Sequence, residues 1–201
     1  MAAWWCVACA AVALLYALVD VNYFLRLALT IGVAKLLQRR TSVLQPTSVY
    51  SVCLPSDVDA CLKHMNNARF VRELDFARFD FYFRCGLFGE LMVRRGGNAV
   101  QGASAIRYRR PLAVFSAYRV DTQMVWWDDK AIYLEQRFVT LRDGFVRAVS
   151  LSKQSVIGVS ADEAVRALAG ADVSKPDLPE DLRLWLDSLQ ASSAKLRPKS
   201  N

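Results

Sequence analysis

Residues 54–87 read LPSDVDACLKHMNNARFVRELDFARFDFYFRCGL, and the fold turns on this stretch. It opens with a Pro55-Ser56-Asp57 turn signal, carries Asp57 and Asp59, and holds the only histidine of the chain, His64. The pair Asn66-Asn67 follows. Beyond it, Phe70, Leu74, Ala77 and Phe81 recur at helical spacing, with Val71 beside them. Arg69 and Glu73, and Asp80 and Arg84, stand four apart, where oppositely charged side chains on a helix meet. The pattern predicts a helix over Asn67–Arg84 with Gly86 ending it. Phe76, Phe79, Tyr82 and Phe83 widen its apolar face, so the helix is expected to be enclosed rather than laid on a surface. A polar cluster running into a helix start is also a place for chemistry, because the first turn presents unpaired N–H groups and a partial positive charge.

Outward from the helix the period changes from helical to alternating. Ser48–Leu54 is a short β-branched strand ended by Pro55. After a linker at Arg94–Asn98, the runs 99–110, 113–127, 131–141 and 145–159 alternate apolar and polar residues. Asp128-Asp129-Lys130 and Arg142-Asp143-Gly144 supply turns between the later ones. The expectation is an antiparallel meander of four long strands wrapping the helix, an α+β fold. Ser160 caps a short helix over 161–168, and Pro179–Leu189 is a second amphipathic helix. Residues 194–201 read as a polar, basic tail.

The first forty residues are different. Ala2–Val19 is an uncharged apolar run, at the lower limit for a membrane-spanning helix. Asp20 and Asn22 interrupt it, a second helical pattern follows, and Gln38-Arg39-Arg40 closes it. Trp4-Trp5 and Tyr23-Phe24 flank the run as interfacial aromatics do. No Lys or Arg precedes the run and the basic residues follow it, which favours an uncleaved signal anchor with the remainder on the cytosolic side. A cleaved signal peptide, leaving a secreted protein, is the alternative. The organisation read here is an anchor or signal at 1–40, a linker at 41–47, a main domain at 48–160, and helices with a tail at 161–201.

Composition narrows the function classes. The formal charge is +7, yet after residue 40 no basic block exceeds Arg94-Arg95 or Arg109-Arg110, so a nucleic-acid arm is not expected. Cys6 and Cys9 lie in the apolar run, and Cys53, Cys61 and Cys85 form neither a disulfide framework nor a metal pattern. With no Asn-x-Ser/Thr sequon, this suits a domain facing a reducing compartment; the expected location is the endoplasmic reticulum membrane with the domain cytosolic.

One strand, a long helix and four antiparallel strands is the order of the hotdog fold. Ser56-Asp57-Val58-Asp59 followed by His64-Met65-Asn66-Asn67-Ala68-Arg69-Phe70 resembles the D-x-D…H-V-N-N-x-x-Y signature of hotdog thioesterases of the 4-hydroxybenzoyl-CoA and acyl-ACP type. Arg84-Cys85-Gly86-Leu87 resembles that family's helix end. The resemblance implies a homodimer with sheets joined edge to edge and acyl-CoA or related thioester sites at the interface, without metal or cofactor. It also implies a carboxylate at Asp59 as nucleophile or base, and helix-start amides near Asn66 and Asn67 as oxyanion donors. His64 would orient water or substrate, and Glu73 is the second carboxylate to watch. Arg107, Arg109, Arg110 and Lys153 are candidates for CoA phosphates.

Each residue also has a plainer role. Asp57 and Asp59 cap turns, Asn66 or Asn67 caps the helix, His64 fills the turn, Glu73 pairs with Arg69, and the four basic residues are solvated. The Asp59-to-His64 segment, DACLKH, departs from the acyl-ACP pattern D-x-N-x-H: the Asn is absent, the spacing is one residue longer, and Lys63 stands where a Gly is often found. A shift of about 1 Å in a catalytic group can cost about a hundredfold in rate. Two readings therefore stand side by side: a membrane-tethered acyl-CoA thioesterase of lipid metabolism, and a non-catalytic hotdog protein that binds acyl-CoA or lipid or scaffolds a partner at a membrane.

Overall fold

The computed structural model describes residues 2–196. Residues 197–201, most of the expected basic tail, lie outside the described residues. The chain begins with two helices, α1 (Ala2–Leu18) and α2 (Val21–Leu36), bent by 77° where Asp20 caps α2 by accepting from the Tyr23 N–H at 3.1 Å. Among the described residues no single helix is long and apolar enough to cross a membrane; α1 and α2 pass that test only as a bent pair.

β1 (Thr47–Val52) leads through one 3-10 turn at Pro55–Asp57 and a closed loop into α3 (Asn67–Arg84), the helix expected over those residues. Asn66 caps it through its side chain, which accepts the Ala68 N–H at 2.8 Å, and Gly86 takes the left-handed conformation that ends it. A π-helical turn, Gly89–Arg94, follows and meets the expected linker at Arg94. Four strands come next: β2 (Asn98–Tyr108), β3 (Ala117–Trp127), β4 (Ala131–Thr140) and β5 (Val146–Ile157). The chain closes with α4 (Ala161–Ala169), capped by Ser160, and α5 (Glu180–Leu196), which runs past the expected Leu189 and takes in the start of the tail.

The sheet is wholly antiparallel but is not the simple meander expected. Its order is β1-β3-β4-β5-β2, so β2 pairs with β5 at the far edge and leaves β3 to pair with β1. The reason is the connection after Tyr108, which is too long and proline-interrupted (Arg109 to Ser116, with Pro111) to be a hairpin turn, and so crosses the end of the sheet. Gly102 helps β2 reach β5: a Cβ there would stand 2.5 Å from Ser155 Oγ, beside the register shift between Gln101 and Ala103.

α3 lies on one face of the sheet. Phe70, Leu74 and Ala77 pack with Tyr118, Val120, Phe138 and Ala148, and Phe81 packs further along with Met124, Trp127 and Leu134. Gln136 stitches helix to sheet, its Nε2 donating to the Leu74 carbonyl and to Thr122 Oγ1, each at 3.1 Å. α5 covers part of the opposite face through Leu182, Trp185 and Leu186 against Ala131, Tyr133 and Trp126. The sheet therefore encloses only one side of α3. The other is covered by α2: Tyr23 meets Phe76 at 5.3 Å, the Arg26 guanidinium lies 4.7 Å from the same ring, and Lys35 lies 4.5 Å from Phe83. The wide aromatic face of α3 is thus explained by two coverings, one of them from the amino-terminal segment.

Candidate active site at the start of the central helix

The loop before α3 is built by its own backbone. Leu54 N–H donates to Asp57 Oδ2 at 2.9 Å, the Asp57 carbonyl accepts Asn66 N–H at 2.9 Å, and Asp59 N–H donates to the His64 carbonyl at 3.0 Å. Leu62 turns the loop, with φ 55°, and donates its N–H to the Asp59 carbonyl. A side-chain-bearing residue in that region costs on the order of 1 kcal/mol. The crossing segment after β2 braces the loop from outside: Met65 N–H donates to Leu112, Val114 N–H to Lys63, and His64 bridges Ala113. Phe115 in that segment, with φ 62°, is the second left-handed non-glycine residue among the described residues.

This frame brings Asp59 and His64 together. Asp59 Oδ2 is 3.3 Å from His64 Nε2, with the side chains 24% and 40% exposed. His64 Nδ1 is 3.3 Å from the Met65 carbonyl, so both ring nitrogens face acceptors, and a neutral imidazole donates to one of them at a time. Asp59 Oδ1 is buried and has no hydrogen-bond partner among the described residues. A carboxylate oxygen without a donor keeps its lone pairs for a proton or a carbonyl carbon that is brought to it.

The first turn of α3 spends most of its amides. Asn66 N–H goes to Asp57, Ala68 N–H to the Asn66 side chain, and those of Arg69 and Phe70 to the Asn66 carbonyl. Of the two residues proposed as oxyanion donors, Asn66 is therefore the cap. Asn67 N–H is the amide of this turn left without an acceptor among the described residues. Tyr108 donates its hydroxyl to the Asn67 carbonyl at 2.9 Å and stacks edge-on against Phe70, which pins that residue to β2.

Glu73 is in a different setting. It is 3% exposed and fully engaged: Arg26 donates to both oxygens at 2.7 Å, Tyr118 donates to Oε2 at 3.0 Å, and Arg69 Nη2 lies 3.1 Å from Oε1. Arg69 continues the network to the buried Asp57 at 2.8 Å. Glu73 is thus joined to Asp57, not to Asp59, and each of its oxygens already has two donors. The network also marks its surroundings. Burial, then the Glu73 charge, pushes the Tyr118 hydroxyl far above its ordinary value. Burial, then the Asp57 and Glu73 charges, pushes the Cys53 thiol up to about 11, which leaves it protonated at neutral pH.

The four basic candidates do not form one cluster. Arg109 and Arg110 stack on the Phe145 ring at 4.8 and 4.5 Å, joined by Arg147 at 5.1 Å, at the sheet end that carries the loop brace. A cleft of about 540 Å³ lined by Pro111, Ala113, Phe115, Arg142 and Arg147 adjoins them. Arg107 pairs with Val149 and Lys153 with Ala103, on the sheet face away from α3. Sequence reasoning missed Arg26, Tyr118, Tyr108 and Arg147. Only Arg26 left a signal, as one of two cations, with Lys35, within an apolar helical pattern, where a charge needs a partner.

The model of the thioesterase-like superfamily matches residues 53–186, from the end of β1 into α5. The chain belongs to the thioesterase-like superfamily. It is 50% identical to Protein THEM6 of Drosophila melanogaster, over 92% of this chain and 94% of that protein. Among solved structures it resembles the gentisyl-coenzyme A thioesterase BH1999, with TM-score 0.52, 18% identity, and coverage of 63% of this chain and 100% of the other. It also resembles SAV2348 of Staphylococcus aureus in complex with CoA, with TM-score 0.51, 14% identity, and coverage of 81% and 92%. These two likenesses show the hotdog fold that the family's order of elements implied.

Proposed function

We propose that the protein is a membrane-associated acyl-CoA thioesterase of lipid metabolism, with Asp59 as its reacting carboxylate. The observation that carries this reading is Asp59 itself, held to His64 by one oxygen with the other unpartnered, in the loop that leads to the start of α3. Asp59 removes a proton from the attacking water, or attacks the thioester carbonyl to give an acyl-enzyme anhydride that water then cleaves; in either route the C–S bond breaks and the CoA thiolate leaves and takes up a proton, while His64 orients the carboxylate. Asn67 N–H, aided by the helix dipole, takes the developing oxyanion. Arg109 and Arg110, with Arg147, are the cations best placed for CoA phosphates. The fold shared with a CoA complex supports a CoA thioester as substrate. The exposed β2 edge, free on one side, suits a homodimer joined edge to edge. The apolar amino-terminal helices followed by Arg39-Arg40 suit an anchor in the endoplasmic reticulum membrane with the domain cytosolic.

The non-catalytic reading has one specific observation behind it. The loop from Asp59 to His64 closes on itself through two backbone bonds and a left-handed Leu62, consistent with a structural turn one residue longer than the family's. The test is hydrolysis by the full-length protein in detergent across acyl-CoA chain lengths, beside Asp59→Ala. Hydrolysis lost in the variant supports the enzyme. Hydrolysis unchanged removes Asp59 from the mechanism, and saturable acyl-CoA binding without hydrolysis supports the second reading. A sequon engineered into the Arg94–Asn98 loop should stay unglycosylated if the domain is cytosolic.

A further inference from the structure

The two faces of α2 have opposite characters. The inner face is locked onto α3 through Tyr23, Arg26 and the buried Ala34. The outer face is an uncharged stripe of Leu25, Leu29, Gly32 and Leu36, spaced four, three and four apart on one side of the helix. Its leucines are 61%, 67% and 83% exposed. Leu37 extends it and Phe24 flanks it, both exposed. An apolar stripe of this length is not left in water without a partner.

Three observations say what that partner is. First, the stripe adjoins α1, whose apolar side chains are exposed from Trp4 to Leu18 and which has no charged residue. At about 26 Å, α1 falls just short of the roughly 30 Å hydrocarbon core, so it can enter a bilayer deeply. Second, α2 is bent 77° from α1. A helix nearly perpendicular to one directed into the bilayer lies close to the bilayer plane. Third, the far end of α2 is basic. Lys35, Arg40, Arg84 and Arg94 line a cleft of about 530 Å³ there, with no acidic residue in the lining. Arg84 and Arg94 are paired with Asp80 and Glu90, whereas Arg40 and Lys35 have no ion pair among the described residues, Lys35 lying over the Phe83 ring at the cleft wall.

We propose that α2 is an interfacial helix, lying in the headgroup region of an anionic bilayer with Leu25, Leu29 and Leu36 turned to the acyl chains and Lys35 and Arg40 turned to lipid phosphates. This rests on the membrane reading above and adds its geometry: α2 is sandwiched between bilayer and α3, and the α5 face of the sheet points away from the membrane.

The experiment uses the full chain, with Cys6, Cys9 and Cys61 replaced by Ser, reconstituted in phosphatidylcholine vesicles with and without phosphatidylserine. One fluorophore is placed at Leu15→Cys in α1, at Leu29→Cys in α2, or at Arg137→Cys on the outer sheet face, and quenching by lipids brominated at different acyl depths is read. The expected result is quenching at Leu15 and Leu29 but not at Arg137, with Leu29 quenched most by the shallowest bromines. In the phosphatidylserine vesicles, Lys35→Gln with Arg40→Gln should weaken the Leu29 signal at least twofold and leave the Leu15 signal. Quenching at Leu15 without Leu29 overturns the interfacial helix and leaves the anchor. Quenching at neither overturns both. Disulfide crosslinking of Leu29→Cys between copies, in place of quenching, assigns the stripe to a second chain and overturns the proposal.

Discussion

Asp59 and Glu73 come from one stretch of sequence and were both candidates for the same chemistry, yet the fold gives them opposite surroundings. Asp59 sits in a braced loop, partly exposed, with one oxygen on His64 and one oxygen free. Glu73 is buried and holds two donors on each oxygen. A carboxylate whose lone pairs are already taken contributes to stability; one left short of donors retains reactivity. The helix start separates them: before it the backbone loops out toward solvent, and two turns into it the side chain points between α2 and the sheet.

The largest effect on stability should come from breaking the Glu73 side of this comparison. Arg26→Met leaves a buried carboxylate short of its main partner. With Arg26 31% exposed, the cost sits at the lower end of the range for such pairs, about 3 kcal/mol. Thermal unfolding of the full-length protein should show a fall in Tm on the order of 10 °C. Adding Glu73→Leu should recover most of that loss, because replacing both charges removes the unpaired one. A double variant no more stable than Arg26→Met alone would show that α2 is held by other contacts.

Tyr118→Phe removes one donor from Glu73 and should cost about 1–2 kcal/mol in denaturant unfolding. Asn66→Ala removes the cap of α3, for about 1 kcal/mol, and loosens the turn that presents Asn67 N–H. It should therefore lower hydrolysis by more than its stability loss alone explains. The smallest effect concerns Asp80, at the other end of α3. Burial raises its carboxyl above the usual range, against the pull of Arg84 and Thr47. Its folded-state proton affinity then exceeds that of the unfolded chain, so its contribution to stability is present at acid pH and lost as pH rises through the folded value. The difference in Tm between Asp80→Asn and the wild type should accordingly be larger at neutral than at acid pH.

Much of the fold was legible in local pattern. The α3 bounds, its Asn cap, its Gly end and each strand's existence follow from side-chain period and turn residues. The strand order was not, because pairing β2 with β5 depends on a crossing segment whose path no local pattern encodes. Asp59 and His64 were named from a motif, but their contact is set by the loop's backbone bonds and was not read from it. The isolation of Glu73 did not, since Arg26 lies 47 residues away and Tyr118 45, on elements whose packing the sequence does not announce. Likewise, the apolar residues of α2 read as membrane in sequence, while only the fold divides them into a face for α3 and a face for something else.

If reactivity sits at Asp59 and stability at Glu73, Asp59→Asn in the full-length protein separates the two when acyl-CoA hydrolysis and Tm are measured on the same preparation. The expected result is a kcat at least about a hundredfold lower with Tm within about 2 °C of the wild type. Hydrolysis retained at the wild-type rate, or lost only together with a large fall in Tm, would contradict it.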